Sequence, residues 1–396
     1  MSLATTGLPS PRAATTTIFA LNGMLLGTWG ARIPAIQDGL DTGAGGIAVG
    51  LAALAAGALI AMPAAGRAVS RHGSATVVRL AVAALGLGIV APAAMPTVAL
   101  LAVSTFVLGL ANGSLDVSMN VQGVEVEKRA GRAIFSSMHA AFSFGGLIGA
   151  GIAALAAAAD IAPVTHFLVV GVAAAAIGEW VSRALIPDGP QPEVVDASAA
   201  GRGGGRWALR GLAFCCLFAE GAAMDWSAVH LRAIGAGAAV AALAYGAFSV
   251  AMASGRLTGD RLSERLGPVA LARRGGLLAA GAMAVSLAVG VPGVSLAAYL
   301  ALGAGLSVII PMVFRAAATG GDAGPALAGV TTTGYLGLLS GPPIIGAAAS
   351  ATSVPTALLL VIAATGAVAF GAGALRPPAA VSSEAPHATT PTPTAA

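Results

Sequence analysis

The residues of this chain best placed to do chemistry are acids standing inside apolar stretches. Glu220 and Asp225 interrupt the run 207–231, and Asp116 interrupts the run 97–120. If such runs cross a bilayer, a charge at mid-depth costs roughly 2.5–3.5 kcal/mol, so an acid kept there points to a task. A carboxyl group in those surroundings can bind and release a proton or hold a polar solute; the plain alternative for Glu220 is a structural hydrogen bond to a neighbouring helix. Asp225 follows Glu220 by about 140° of helix rotation, so the two do not share one narrow face.

Asn112, Asp116 and Asn120 recur at every fourth residue, which puts them on one helix face together with the stripe of Gly109 and Gly113. They could face a solute pathway or form a helix-end network with Arg71 or Arg129. His139, with Ser136 and Ser143 at helical spacing, brings a side chain that titrates near neutral pH; packing is the alternative. Asn22 and Trp29 in the first run parallel Glu220 and Trp226 in the seventh. A tryptophan can stack on a solute or anchor a helix at a membrane surface; both lie toward the same helix end, which favours the anchor for at least one.

The elements that must position these groups follow from composition. Apolar residues make up 57 % of the 396, charged residues only 9 %, and the mean hydropathy is +0.87. Soluble domains carry about 25 % charged residues, so lipid must be the solvent for most of the surface. The apolar runs number twelve, at 14–34, 44–65, 76–95, 97–120, 133–158, 163–186, 207–231, 236–256, 269–290, 292–314, 326–349 and 354–375. Each approaches the ~20 residues a helix needs to cross the bilayer core. Of the 20 Lys and Arg, all but Arg32 and Arg232 fall in or beside alternate gaps, as expected when cytoplasmic loops retain the cations. With an even span count, both termini are then expected on the cytoplasmic side of a bacterial inner membrane. The first run is too long for a signal-peptide core and reads as the first span.

The expected organisation is a short tail (1–13), a six-helix bundle (14–186), a Gly/Pro-rich cytoplasmic linker (187–206), a second six-helix bundle (207–375) and a Pro/Thr/Ala-rich tail (376–396) expected to be disordered. The halves repeat one another. Gly57, Gly66-Arg67, Arg71 and Gly73 of the first correspond to Gly246, Gly255-Arg256, Arg265 and Gly267 of the second. Two such halves imply a site between them.

At these residues the chain resembles the major facilitator superfamily. Gly57, Gly66, Arg71 and Gly73 match that family's loop signature, while Ser70 stands where it has an acid; the second copy, Gly255-Arg256 through Asp260-Arg261, keeps an Asp-Arg pair. A finer likeness, carried by Glu220–Val229 and Gly109–Asn120, is to fucose-permease-like bacterial permeases. The resemblance implies an all-α membrane fold of twelve helices in two pseudo-symmetric bundles. It also implies alternating access driven by a secondary gradient, with the loop motif as a conformational clamp.

The function expected is secondary transport of a small polar or amphipathic solute, coupled to protons through Glu220 or Asp225. Few cations lie within the spans, which favours a neutral or cationic solute; sugar-type uptake and drug or metabolite efflux both stay open. A non-transporting sensor or scaffold is the alternative class. No nucleotide-binding loop, metal-ligand spacing or catalytic constellation is present, so no cofactor, metal, nucleic-acid partner or enzymatic activity is expected, and the chain is expected to work as a monomer. Cys215 and Cys216 read as small packing residues.

Overall fold

The computed structural model describes residues 8–131, 134–187, 204–317 and 323–376. The body of the expected linker, the distal parts of both tails and the side chains of Ser136 and Asp260 lie outside the described residues. Twelve helical rods run back and forth. In the first half they are α1 (Pro11–Gly39), α2 (Ala44–His72), α3 (Ser74–Ala93), α4 (Val98–Ala130), α5 (Phe135–Ala158) and α6 (Pro163–Ser182). In the second they are α7 (Gly204–Ala233), α8 (Ala238–Leu266), α9 (Pro268–Val289), α10 (Pro292–Ala317), α11 (Ala323–Ala351) and α12 (Val354–Leu375). Among the described residues nine of these are long and apolar enough to cross a membrane; α1, α9 and α11 complete the bundle.

Local chemistry sets the ends. Ser10, Thr97 and Ser353 cap α1, α4 and α12 by accepting a backbone N–H from the first turn. The turns α2–α3 and α8–α9 pass through Gly73 (φ 79°, ψ 152°) and Gly267 (φ 75°, ψ 152°). That conformation excludes side chains and explains why the repeated motif closes on glycine in both halves.

Small residues then let the rods touch. A Cβ at Gly23 or Gly145 would run into a backbone carbonyl across α1 and α5, and one at Gly57 or Gly109 into a carbonyl across α2 and α4. The second half repeats the design, with Gly337 against the Phe214 carbonyl across α7 and α11 and Gly303 against the Phe248 carbonyl across α8 and α10. The pairs α1·α5, α2·α4 and α3·α6 thus recur as α7·α11, α8·α10 and α9·α12. Leu80, Val103, Leu155, Val169, Leu257 and Phe370 point outward, each at least 60 % exposed, a surface suited to lipid tails and not to water.

The halves meet through α5 on α8, α2 on α11, and α1 on α7 and α8. Their contacts gather toward the end of the bundle away from the chain termini. There Gly30 packs on the Met224 carbonyl, Ala48 on Gly346, and Ala31, Ala150, Ala154 and Ala242 form one cluster. Arg232 pairs with Asp38 across the halves at 3.6 Å.

Candidate functional site

A cavity of about 170 Å³ lies between the halves. Its walls draw on eight helices, and it runs from Trp29 and Asp225 toward Met62, Ile310 and Phe314 at the end of the bundle that carries the termini. Asn22, Trp29, Asn112, Asp116, His139, Glu220 and Asp225, all candidates from the sequence, converge on it. Glu220 and Asp225 both reach it despite their angular separation, because the cavity is wider than one helix face.

The three acids have three different surroundings. The Glu220 carboxylate pairs with the Arg256 guanidinium at 3.3 Å, with side-chain exposures of 14 % and 10 %. Arg256 Nη1 also donates to Ser143 Oγ (2.9 Å) and to the His139 carbonyl (3.3 Å), both on α5. This one guanidinium therefore joins α7 and α8 of the second half to α5 of the first. Asp116 accepts from Asn120 Nδ2 at 3.3 Å and lies near the Tyr335 side chain. Asp225, 5 % exposed, lies against the indole of Trp29 from the opposite half. Among the described residues neither Asp116 nor Asp225 forms an ion pair.

Several expectations change. Arg256 belongs to the repeated motif and was expected in a cytoplasmic loop, yet it lies well inside α8 and faces the cavity. Its first-half counterpart Arg67 is exposed. Trp226 is fully buried, donates Nε1–H to the Pro342 carbonyl at 2.9 Å and packs on α11 without lining the cavity. Trp29 is 3 % exposed, so neither tryptophan is a membrane-surface anchor. Asn120 bonds to Asp116 and its carbonyl and stands outside the cavity lining. Among the described residues Asp116 pairs with neither arginine of the alternative network: Arg129 pairs with Glu125 at 2.8 Å, and Arg71 is exposed.

The His139 imidazole packs edge-on between Phe19 and Phe135, with ring centroids 5.1 and 4.9 Å away. Of the loop motif, Gly66, Arg71 and Gly73 lie at the terminus-bearing end of α2, Gly66 with open space around it. Gly57 and Gly255 pack instead on Phe106 and Ser307 of neighbouring helices. Arg261 is exposed. Tyr245, which the sequence reading passed over, lines the cavity beside Gly146. Only its place directly before the repeat glycine Gly246 hinted at it.

The family model of the Major Facilitator Superfamily matches residues 15–320. The chain belongs to the major facilitator superfamily. It is 33 % identical over 350 residues to an uncharacterized transporter, y4wD, of Sinorhizobium fredii, covering 87 % of this chain and 92 % of that one. It is 31 % identical over 367 residues to an uncharacterized MFS-type transporter of Yersinia pestis, covering 90 % and 95 %. Its fold is similar to the nucleoside transporter NupG (TM-score 0.67, 16 % identity, 93 % of this chain and 99 % of that one). It is also similar to the E. coli fucose:proton symporter FucP in its N162A form (TM-score 0.61, 18 % identity, 93 % and 98 %). The all-α, twelve-helix major facilitator fold and a role in membrane transport of a small molecule follow.

Proposed function

We propose that this superfamily member is a proton-coupled secondary transporter in a bacterial cytoplasmic membrane. Its two halves, residues 14–186 and 207–375, rock about the cavity, and both termini face the cytoplasm, as the sorting of Arg and Lys into alternate gaps favours. Contacts gathered at the far end and a cavity reaching toward the termini support an inward-open arrangement.

The observation that carries the reading is the Glu220–Arg256 pair and its extension to α5. With Glu220 ionised, Arg256 is held by both halves. When Glu220 takes a proton, Arg256 loses its counter-charge, and the contact between α8 and α5 is reset. A protonation event inside one half is thereby converted into a change between halves, which is what coupling requires. Arg256 acts here through Glu220 as a positioning residue.

The test is lumenal pH in proteoliposomes challenged with a panel of sugars and amines, wild type beside Glu220→Gln. Solute-dependent proton movement lost in the variant is expected, and its sign separates symport from antiport. Undiminished proton movement in Glu220→Gln would remove Glu220 from the coupling path.

A further inference from the structure

The cavity sets three carboxylates and two unpartnered amide oxygens against one arginine. The Glu220 carboxylate is occupied by Arg256, which donates to Glu220, Ser143 and the His139 carbonyl. The single cavity arginine thus already carries its counter-charge. Asp116 has a neutral donor in Asn120, with Tyr335 nearby. Asp225 has no ion pair and lies beside the Trp29 indole, whose Nε1 is itself unpartnered. Asn22, 1 % exposed, turns an unpartnered Oδ1 into this setting, its Nδ2 being engaged with Met119 Sδ at 3.6 Å. Asn112 Oδ1 is likewise buried and unpartnered. Asn22 and Trp29 stand seven residues apart, on one face of α1.

A buried acceptor left without a donor is costly, and a buried carboxylate without a counter-charge more so. A ligand suited to this cavity supplies N–H donors and a positive charge together. We propose that the solute is an organic monocation, an amine whose ammonium group seats on Asp225 beside the Trp29 indole, with Asn22 Oδ1 accepting from it. The aromatic wall adds cation–π attraction, and the apolar remainder of the lining (Leu26, Leu51, Phe142, Leu338) takes a hydrocarbon body. Because Asp225 belongs to one half and Trp29 to the other, the bound amine touches both moving bodies. The proposal rests on the cavity being the translocation site.

The test is binding to the protein in lipid nanodiscs, read by saturation-transfer NMR and intrinsic fluorescence. The probes are two matched triplets: benzylamine, benzyl alcohol and benzoate; and cyclohexylamine, cyclohexanol and cyclohexanecarboxylate. Both amines are expected to bind at least tenfold more tightly than their neutral and anionic congeners. Asp225→Asn should abolish that preference, and Asp225→Glu should retain it. Equal binding of amine and alcohol by the wild type, or no binding of either amine, overturns the proposal, and this outcome does not depend on how any variant folds. Preferential carboxylate binding lost in Arg256→Gln also overturns it, and assigns an anionic solute to the same cavity. Rocking of the halves, measured by distances in the absence of solute, is independent of these outcomes, so failure of the substrate class and failure of the transport reading are distinguishable.

Discussion

Neutralising one partner of the buried pair should be far from symmetrical. At 3.3 Å and an effective dielectric constant of about 20, the gross attraction between Glu220 and Arg256 is about 5 kcal/mol. Desolvation of both charges offsets much of it, and breaking such a pair from one side leaves a penalty of about 3–5 kcal/mol. In Glu220→Gln the arginine keeps Ser143 Oγ and the His139 carbonyl as acceptors, so the loss should fall to about 1–3 kcal/mol. In Arg256→Gln the carboxylate keeps no other hydrogen-bond partner among the described residues, and the loss should approach the full 3–5 kcal/mol. The double variant should be no less stable than Arg256→Gln alone, with a coupling energy above about 1.5 kcal/mol. Equilibrium unfolding in mixed micelles titrated with SDS at pH 7 measures all four corners of the cycle, with size-exclusion profiles as the check on folding. Equal losses from the two single variants with an additive double would refute the reasoning, since it requires both the ion pair and the asymmetry of its remaining acceptors.

Other consequences follow from packing and from the loop motif. Gly23→Val places branched carbons against the Phe142 carbonyl of α5 and should sharply reduce the monodisperse fraction on size exclusion; unchanged yield would contradict the close α1–α5 approach. Trp226→Phe removes the Nε1 bond to the Pro342 carbonyl and should lower stability by about 1 kcal/mol while amine binding persists, because Trp226 is not a cavity residue. Ser70→Asp restores the acid that the family motif carries and should draw the terminus-bearing ends of the halves together; nitroxide distances there that do not shorten would count against a surviving clamp.

Much of the architecture was legible because lipid imposes simple rules. Spans of adequate length, turns that close on Gly73 and Gly267, and cations sorted by gap each leave a mark in the sequence. The cavity was legible for a related reason: a polar group within an apolar run is rare, and Asn22, Asn112, Asp116, Glu220 and Asp225 stood out by type alone. What the sequence hid was depth and direction. Arg256 follows the motif glycine and reads as a loop cation, but it lies only ~27 Å along α8 from its start, and Glu220 lies ~20 Å from the same end of α7. The long arginine side chain spans the difference. Trp226 illustrates the angular problem: one residue beyond Asp225 is about 100° further round α7, enough to turn it from the cavity onto Pro342. Asn120 shares the face of Asp116, yet it is spent holding that carboxylate.

Alternating access about the cavity is tested most directly by paired nitroxide distances. One pair, Asp38→Cys with Arg232→Cys, reports the far end; the other, Arg71→Cys with Arg265→Cys, reports the terminus-bearing end, both in a background with Cys215 and Cys216 replaced. The account predicts anticorrelation on acidification: the first distance lengthens as the second shortens, and Glu220→Gln sits at the acidified position at every pH. Two distances that stay fixed, or that change in the same direction, would contradict it.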